Sequence, residues 1–340
     1  MPEEDIWEKL KRLGRPLVLY GMWNGAELMV QQLARYGMAP AGFFASDAFV
    51  RGQSFLGFTV LTFSQAREQF PDMIVLVCFG TQRPEVIQNI LSLEAEVYAP
   101  EVPVAGDAVF TLAFARQNRG KIEDAYDLLA DEVSRCTFRE LILYKLDGEL
   151  RHLLNCQREK EELYALLALH ESEEYLDLGA YNGDTVLEFA RKVPSWNGIT
   201  ALEPDGKNFK KLIKNTQALS HMNCVQAAAG DCCGMVGFSS LGGRSSRTGG
   251  NIRIPSVTVD SLKKPFTFLK MDVEGGEAAA LRGACETIRK MRPKMLVAAY
   301  HRSEDIFSLP LAVHRMRPDY RIYLRHQPCI PAWDTNYCFI

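Results

Sequence analysis

Three stretches of this chain hold residue types that could do chemistry together. They are Tyr175-Leu-Asp-Leu-Gly-Ala-Tyr-Asn-Gly-Asp-Thr185, Ile199-Thr-Ala-Leu-Glu203 and Phe266-Thr-Phe-Leu-Lys-Met-Asp-Val-Glu274. In the first, an apolar strand enters a turn with Gly179 and Gly183 and leaves it as a helix. Glycines there let the backbone approach a ligand, and the helix N-terminus offers unpaired N–H groups. Glu203 closes the next strand, where an acid can take both hydroxyls of a ribose. The spacing is not the dinucleotide fingerprint, because the two glycines stand four apart and Tyr181 fills the middle position. Asp177, just before the turn, would repel a pyrophosphate but suits a positively charged cofactor. S-adenosylmethionine has an ammonium, a sulfonium and no phosphate, so it is expected ahead of a nicotinamide or flavin nucleotide.

The third stretch reads as a central strand of a parallel sheet, normally apolar on both faces. Here Lys270, Asp272 and Glu274 recur at period two toward its carboxyl end. Ligands of open α/β sheets bind in the crevice outside those ends. Burying a lysine and two acids there is costly unless they pair or act on a ligand. Asp272 is therefore expected to face ligand, a purely structural Lys270–Asp272 pair being the alternative. Glu277 follows in a helix's first turn, where a capping role is as good as a catalytic one. His301 ends the strand starting at Met295 and could take a proton near neutral pH. Asp272, Glu274 and His301 have no metal-ligand spacing, so no metal is expected. Arg244 and Arg247, in a glycine-rich loop, could reach a substrate phosphate or carboxylate.

The elements that position these residues follow from periodicity. Residues 1–105 read as a small Rossmann-like α/β module, with strands at 17–20, 42–47, 73–79 and 96–98. Gly21, Gly25 and Asp47 weakly imitate a second nucleotide site there. Residues 106–170 lose the strand signal and repeat apolar residues at helical steps, as a helical connector would. Residues 171–340 alternate again, with strands at 174–178, 199–203, 223–228, 266–273, 294–300, 320–325 and 334–340 and an extended excursion at 235–260. The expected class is α/β, with parallel sheets carrying helices on both faces.

The 340 residues suffice for two domains, with 47% hydrophobic and 24% charged residues as in ordinary globular proteins. A net charge of −3 without a long basic run argues against nucleic acid. No apolar run approaches the roughly 20 residues that span a bilayer, and the acidic N-terminus is unlike a signal peptide. Nine scattered cysteines without a Cys-x-x-Cys pair suggest reduced thiols in a cytoplasm.

Asp177-Leu-Gly-Ala-Tyr-Asn-Gly-Asp-Thr185, Glu203-Pro204, Val259-Asp-Ser-Leu262, Lys270-Met-Asp-Val-Glu-Gly-Gly-Glu277, Leu281-Arg-Gly-Ala284 and Tyr300-His301 together resemble the FkbM-type methyltransferases. That family is named for an enzyme that O-methylates a hydroxyl in macrolide biosynthesis. The resemblance covers about residues 171–340. It implies a seven-stranded S-adenosylmethionine-binding Rossmann-like fold whose cofactor is held by Asp177, Gly179, Ala180, Tyr181, Asn182, Gly183, Glu203 and Pro204. Ala228 to Asp231 would surround the adenine. Catalysis would fall to Asp272, His301, Lys270 and Glu274, with Asp272 or His301 as base. Relatives often end the fifth strand in a glutamate where this chain has Ala298-Ala-Tyr-His301. The implied acceptor is a hydroxyl of a sugar, glycan or secondary metabolite. A non-catalytic nucleotide or sugar-nucleotide binding protein is the alternative, and a homodimer through the N-terminal module is an expected assembly.

Overall fold

Short β-branched and aromatic runs, alternating with amphipathic helices, build two mainly parallel sheets. The computed structural model describes residues 2–239, 247–248 and 252–340. In the N-terminal sheet the strands are β1 (Leu17–Tyr20), β2 (Gly42–Phe44), β3 (Ser54–Phe55), β4 (Phe58–Leu61), β5 (Ile74–Val77) and β6 (Glu96–Tyr98), in the order β3-β4-β2-β1-β5-β6. Only β3 runs antiparallel. Helices α1 (Ile6–Leu13), α2 (Asn24–Arg35), α3 (Phe63–Gln69) and α4 (Pro84–Leu91) accompany it. The β3–β4 hairpin is absent from the sequence reading. Its strands are short and largely exposed around Gly57 at φ +85°, so they lack the buried apolar run that betrays a strand. The strand expected to reach Asp47 ends at Phe44, and Asp47 sits in an exposed 3-10 turn.

Five helices follow: α5 (Leu112–Gln117), α6 (Arg119–Asp127), α7 (Glu132–Asp147), α8 (Leu150–Cys156) and α9 (Lys160–Leu167). They join the two sheets through specific bonds. The buried Lys145 ammonium lies 2.6 Å from the Glu101 carboxylate, and the Tyr144 hydroxyl donates to the Ala99 carbonyl. On the other side Arg325, itself buried, reaches Asp131 of the α7 cap and Glu162 of α9, each at 2.7 Å.

The C-terminal region contains β7 (Glu174–Leu178), α10 (Asp184–Lys192), β8 (Gly198–Leu202), α11 (Gly206–Thr216), β9 (Met222–Val225) and β10 (Ala228–Ala229). Then come β11 (Gly234–Ser239), β12 (Arg247–Thr248), β13 (Ile252–Val257) and β14 (Phe268–Met271). The chain closes with α12 (Glu277–Arg282), α13 (Cys285–Met291), β15 (Lys294–Ala298), α14 (Asp305–Met316), β16 (Ile322–His326) and β17 (Thr335–Phe339). Seven strands form one sheet in the order β16-β17-β15-β14-β7-β8-β9, and β17 is antiparallel to both neighbours. The excursion at 235–260 becomes a small sheet, β10-β13-β11-β12. Arg244 lies outside the described residues. No helix among the described residues is long and apolar enough to cross a membrane.

The larger sheet turns back on itself at β7. The chain leaves β7 for β8 on one side and later returns to lay β14 on the other. Such a switch point opens a crevice outside the carboxyl ends of the two strands.

Candidate functional site

A cleft of about 560 Å³ lies at that switch point. Its floor is the turn after β7 and the end of β14. Gly179, at φ +82°, has its α-carbon so close to the segment after β14 that a Cβ would stand 1.8 Å from the Asp272 carbonyl oxygen. This glycine serves strand-to-strand approach. Tyr181 (φ 48°) and Glu274 (φ 54°) both line the cleft in the left-handed region, a backbone cost that clusters at functional sites.

Lys270 and Asp177 are register partners on adjacent parallel strands. Their side chains therefore meet, with the ammonium 3.3 Å from one carboxylate oxygen, while the Thr185 hydroxyl donates to the other. Burial works against the lysine's charge, but Asp177 and then Asp272 outweigh it and raise its pKa above the usual range. Asp177, expected to face a cationic cofactor, is fully buried as the counter-ion of Lys270.

Glu203 follows β8 directly and lines the cleft. One oxygen accepts from the Tyr181 N–H at 2.8 Å and the other from the Asp205 N–H at 2.9 Å. Burial pushes its carboxyl up to about 7, with Asp205 and Asp177 adding repulsion against those two stabilising N–H groups. Each oxygen keeps a second lone pair, enough for two hydroxyls of one ligand.

Asp272 faces one hydrogen-bond donor and two cationic side chains. The Tyr300 hydroxyl donates to it at 3.2 Å, His301 Nε2 lies at 3.4 Å and Lys270 Nζ at 3.8 Å. Its carboxylate still lines the cleft. Glu274 is no longer on the strand, which ends at Met271, so the period-two reading fails there. The turn nevertheless returns Glu274 to the cleft wall, 3.6 Å from His301 Nε2.

His301 departs from expectation. Its ring is 1% exposed, and Nδ1 lies 2.9 Å from the wholly buried Glu277. Burial alone would lower its pKa, but Glu277, with Asp272 and Glu274 behind it, pushes it up to about 10. That raised pKa favours the imidazolium, which has no free lone pair to take a proton, and so suits His301 to hold the neighbouring carboxylates more than to act as base. Glu277 also accepts the Val273 N–H at 2.8 Å. Its role is to hold this turn and this cation. Asp272, Glu277 and His301 each place one donor atom within 4.8 Å of the others, as Asp147, Glu149 and His152 do in the connector.

Of the residues expected around a cofactor, Gly179, Tyr181, Glu203, Pro204 and Ala228 line the cleft. Ala180 is buried in the core against β7 and β8. Asn182 accepts from Asn215 at its carbonyl and caps Asp184, behind the wall. Gly183 (φ +87°) would put a Cβ 2.9 Å from Thr216 and 3.1 Å from Leu212, so it serves packing of α10 on α11. Asp231 does not line the cleft, because its carboxylate is taken by Arg282 at 2.8 Å.

Residues that sequence reasoning missed come mostly from far away in the chain. Gly80, Thr81 and Gln82 follow β5, and Trp333 and Asp334 precede β17; all five line the cleft. Thr81 and Ile330 exchange backbone hydrogen bonds at 2.8 and 3.0 Å, and the Gln82 amide donates to Asp334 at 2.8 Å. Tyr300 alone was within reach of the sequence, as a polar residue ending a buried strand. The same contacts answer the N-terminal imitation of a nucleotide site. Between the start of α2 and the end of β5 a crevice lined mostly by apolar residues, including Val77, Phe79, Pro331 and Trp333, encloses only about 90 Å³. That is well below the roughly 300 Å³ where small-molecule pockets begin. Gly25 there allows α2 to approach the Cys78 carbonyl, which a Cβ would meet at 2.0 Å.

Residues 177–322 match the family model described as the methyltransferase FkbM domain. The whole chain is similar in fold to the methyltransferase FkbM from Methylobacillus flagellatus, with a TM-score of 0.75 and 23% identity, covering 100% of this chain and 94% of that one. A precorrin-6y C5,15-methyltransferase from Geobacter metallireducens aligns at a TM-score of 0.36 and 11% identity, over 53% of this chain and 85% of that one. A SAM-dependent methyltransferase from Thiobacillus denitrificans, in complex with S-adenosyl-L-homocysteine, aligns at a TM-score of 0.28 and 13% identity, over 41% and 46% respectively. No curated protein matches the sequence.

Proposed function

Because residues 177–322 are a methyltransferase domain of the FkbM family, we propose that this protein moves a methyl group from S-adenosylmethionine to a hydroxyl of a sugar, glycan or secondary metabolite. The observation that carries the reading is the Glu203 carboxylate. It is anchored by two backbone N–H groups and open to the cleft one strand away from the Gly179–Tyr181 turn.

The donor set fits such a cofactor. Glu203 would take the ribose hydroxyls, Ala228 and Ala229 would flank the adenine, and the backbone of Gly179 to Tyr181 would meet the amino-acid end. When bound, the cofactor supplies a methyl carbon whose bond to sulfur breaks as the acceptor oxygen attaches, sulfur keeping the electron pair. The chain's own task is chiefly positioning, since effective concentration supplies most of the acceleration of such displacements. Asp272 accepts the hydrogen bond of the acceptor hydroxyl and takes its proton, a contribution of about 10²–10⁴-fold. Lys270, Tyr300 and the His301 cation fix that carboxylate from three sides. Glu274 completes the acidic wall beside it.

The non-catalytic alternative rested on Gly21, Gly25 and Asp47 and on the missing fifth-strand acid; of these only Gly25 lines the narrow apolar crevice, which does not favour it. Calorimetry with S-adenosylmethionine and with NAD tests the proposal. Heat from NAD alone would overturn it; binding of S-adenosylmethionine, followed by label transfer from its methyl group to a hydroxyl compound, supports it.

A further inference from the structure

Strand order fixes a spatial order along the cleft. Passing from β8 through β7, β14 and β15 to β17, it meets Glu203, the Gly179–Tyr181 turn, Lys270 and Asp272, Tyr300 and His301, and finally Trp333 and Asp334. Because β17 is antiparallel, its start lies at the same edge as the ends of the parallel strands. Four strand spacings separate Glu203 from Asp334, roughly 19 Å at the usual interstrand distance. A cofactor seated on Glu203 and the β7 turn thus reaches Asp272 in the middle. The half of the cleft from Asp272 to Asp334 is left for the acceptor.

That half has a particular chemistry. Trp333 rests the edge of its six-membered ring on Gly80, where a Cβ would stand 2.3 Å away, and the half-buried indole lines the cleft. Asp334, next in sequence, receives the Gln82 amide at 2.8 Å and the Asn336 amide at 3.0 Å. Thr81 adds a hydroxyl. An aromatic plate with a carboxylate, an amide and a hydroxyl at its rim suits a ring with C–H bonds on its faces and hydroxyls around its edge. Aliphatic C–H groups pack on the negative face of the indole. The rim groups offer both donors and acceptors to ring hydroxyls. A long alkyl chain would instead ask for a continuous apolar lining.

We propose that Gln82, Trp333 and Asp334 determine acceptor specificity, and that the acceptor they read is a saccharide. The N-terminal module then acts as one wall of the site, delivering Thr81 and Gln82 through its backbone pairing with Ile330. This inference rests on the methyl-transfer reading and deepens it.

The test uses the full chain. S-adenosylhomocysteine binding is measured by calorimetry, and transfer from methyl-labelled S-adenosylmethionine is measured to methyl hexopyranosides, nucleoside-diphosphate hexoses, a primary alkyl alcohol and a catechol. Label is expected in a saccharide. Gln82→Ala and Trp333→Ala should each raise the KM for that saccharide by about tenfold, the scale of one lost hydrogen bond or stacking contact. Trp333→Phe should restore most of the loss, and S-adenosylhomocysteine affinity should stay within about twofold throughout. Label only in the alcohol or catechol, or in nothing despite S-adenosylhomocysteine binding, overturns the saccharide and leaves the cofactor reading standing. An unchanged acceptor KM in Gln82→Ala and Trp333→Phe→Ala comparisons, or a parallel fall in S-adenosylhomocysteine affinity, overturns the assignment of the wall. Failure of the wild type to bind S-adenosylhomocysteine defeats the methyl-transfer reading itself, and this inference with it.

Discussion

The Lys270 ammonium lies 3.3 Å from the Asp177 carboxylate because the two residues are register partners on neighbouring parallel strands. Both are shielded from water, and the carboxylate is the main partner of the buried ammonium. Lys270→Met should cost about 3–5 kcal/mol of stability, the usual penalty for stranding a buried charge. The Lys270→Met, Asp177→Asn double variant should recover a large part of it. Urea unfolding of the two single variants and the double one provides the cycle; strictly additive losses would show that the pair is not coupled.

His301 should carry a proton throughout the physiological range. Its folded value near 10 lies above the 6.5 of a free side chain. The stability it lends is therefore complete below about 6.5 and drains away as pH rises through about 10. Nitrogen-15 shifts of the labelled ring should report both nitrogens protonated at pH 8, and turnover should show no limb near 6.5. A neutral ring at pH 8 whose signals respond to added Mn²⁺ would instead make the Asp272–Glu277–His301 cluster a cation site.

Glu203 titrates near 7 by the balance of burial against its two N–H donors. A ribose diol donates to the anion, so S-adenosylhomocysteine affinity should rise as pH climbs through about 7. In the unliganded protein the sign is opposite: the raised carboxyl favours folding most below its ordinary value of 4.5, and that contribution fades as pH rises through 7. Glu203→Gln should flatten the affinity profile and weaken binding by about 1.5–3 kcal/mol per lost charge-assisted bond. Calorimetry between pH 6 and 8 reads both; a steep profile persisting in Glu203→Gln would remove this residue from the cofactor site.

Gly183 should prove a residue of the fold more than of the ligand. Gly183→Ala imposes a left-handed side-chain conformation, costing about 1–2 kcal/mol, before Thr216 and Leu212 must give way. Its melting temperature should drop by several degrees, while S-adenosylhomocysteine affinity, measured where the variant is folded, stays close to wild type. Intact stability with lost affinity would restore Gly183 to the cofactor wall.

Asp272→Asn should lower kcat by at least about 10²-fold with cofactor affinity little changed, as a transition-state contact does. Tyr300→Phe removes one of the donors that fix the same carboxylate, and a smaller loss is expected. Single-turnover kinetics would separate the two; equal losses would make Asp272 a positioning residue beside Tyr300.

The sequence by itself determined what depends on neighbours along the chain. Buried apolar runs and period-two alternation located β1, β5, β7, β8, β14 and β15 within a residue or two, because a covered strand must be apolar whatever it packs against. The turn at Gly179 and the acid at Glu203 were legible for the same reason: both are local features of a strand's end. What the tertiary structure decided is charge and company. Asp177 and His301 look alike as polar groups at strand ends, yet strand register gave one a lysine and the fold surrounded the other with three carboxylates. No local pattern announces that Gln82 and Asp334, 252 positions apart, will share a hydrogen bond. That contact exists because a helical connector folds one sheet back onto the other. The half of the cleft it shapes is the half we propose reads the acceptor.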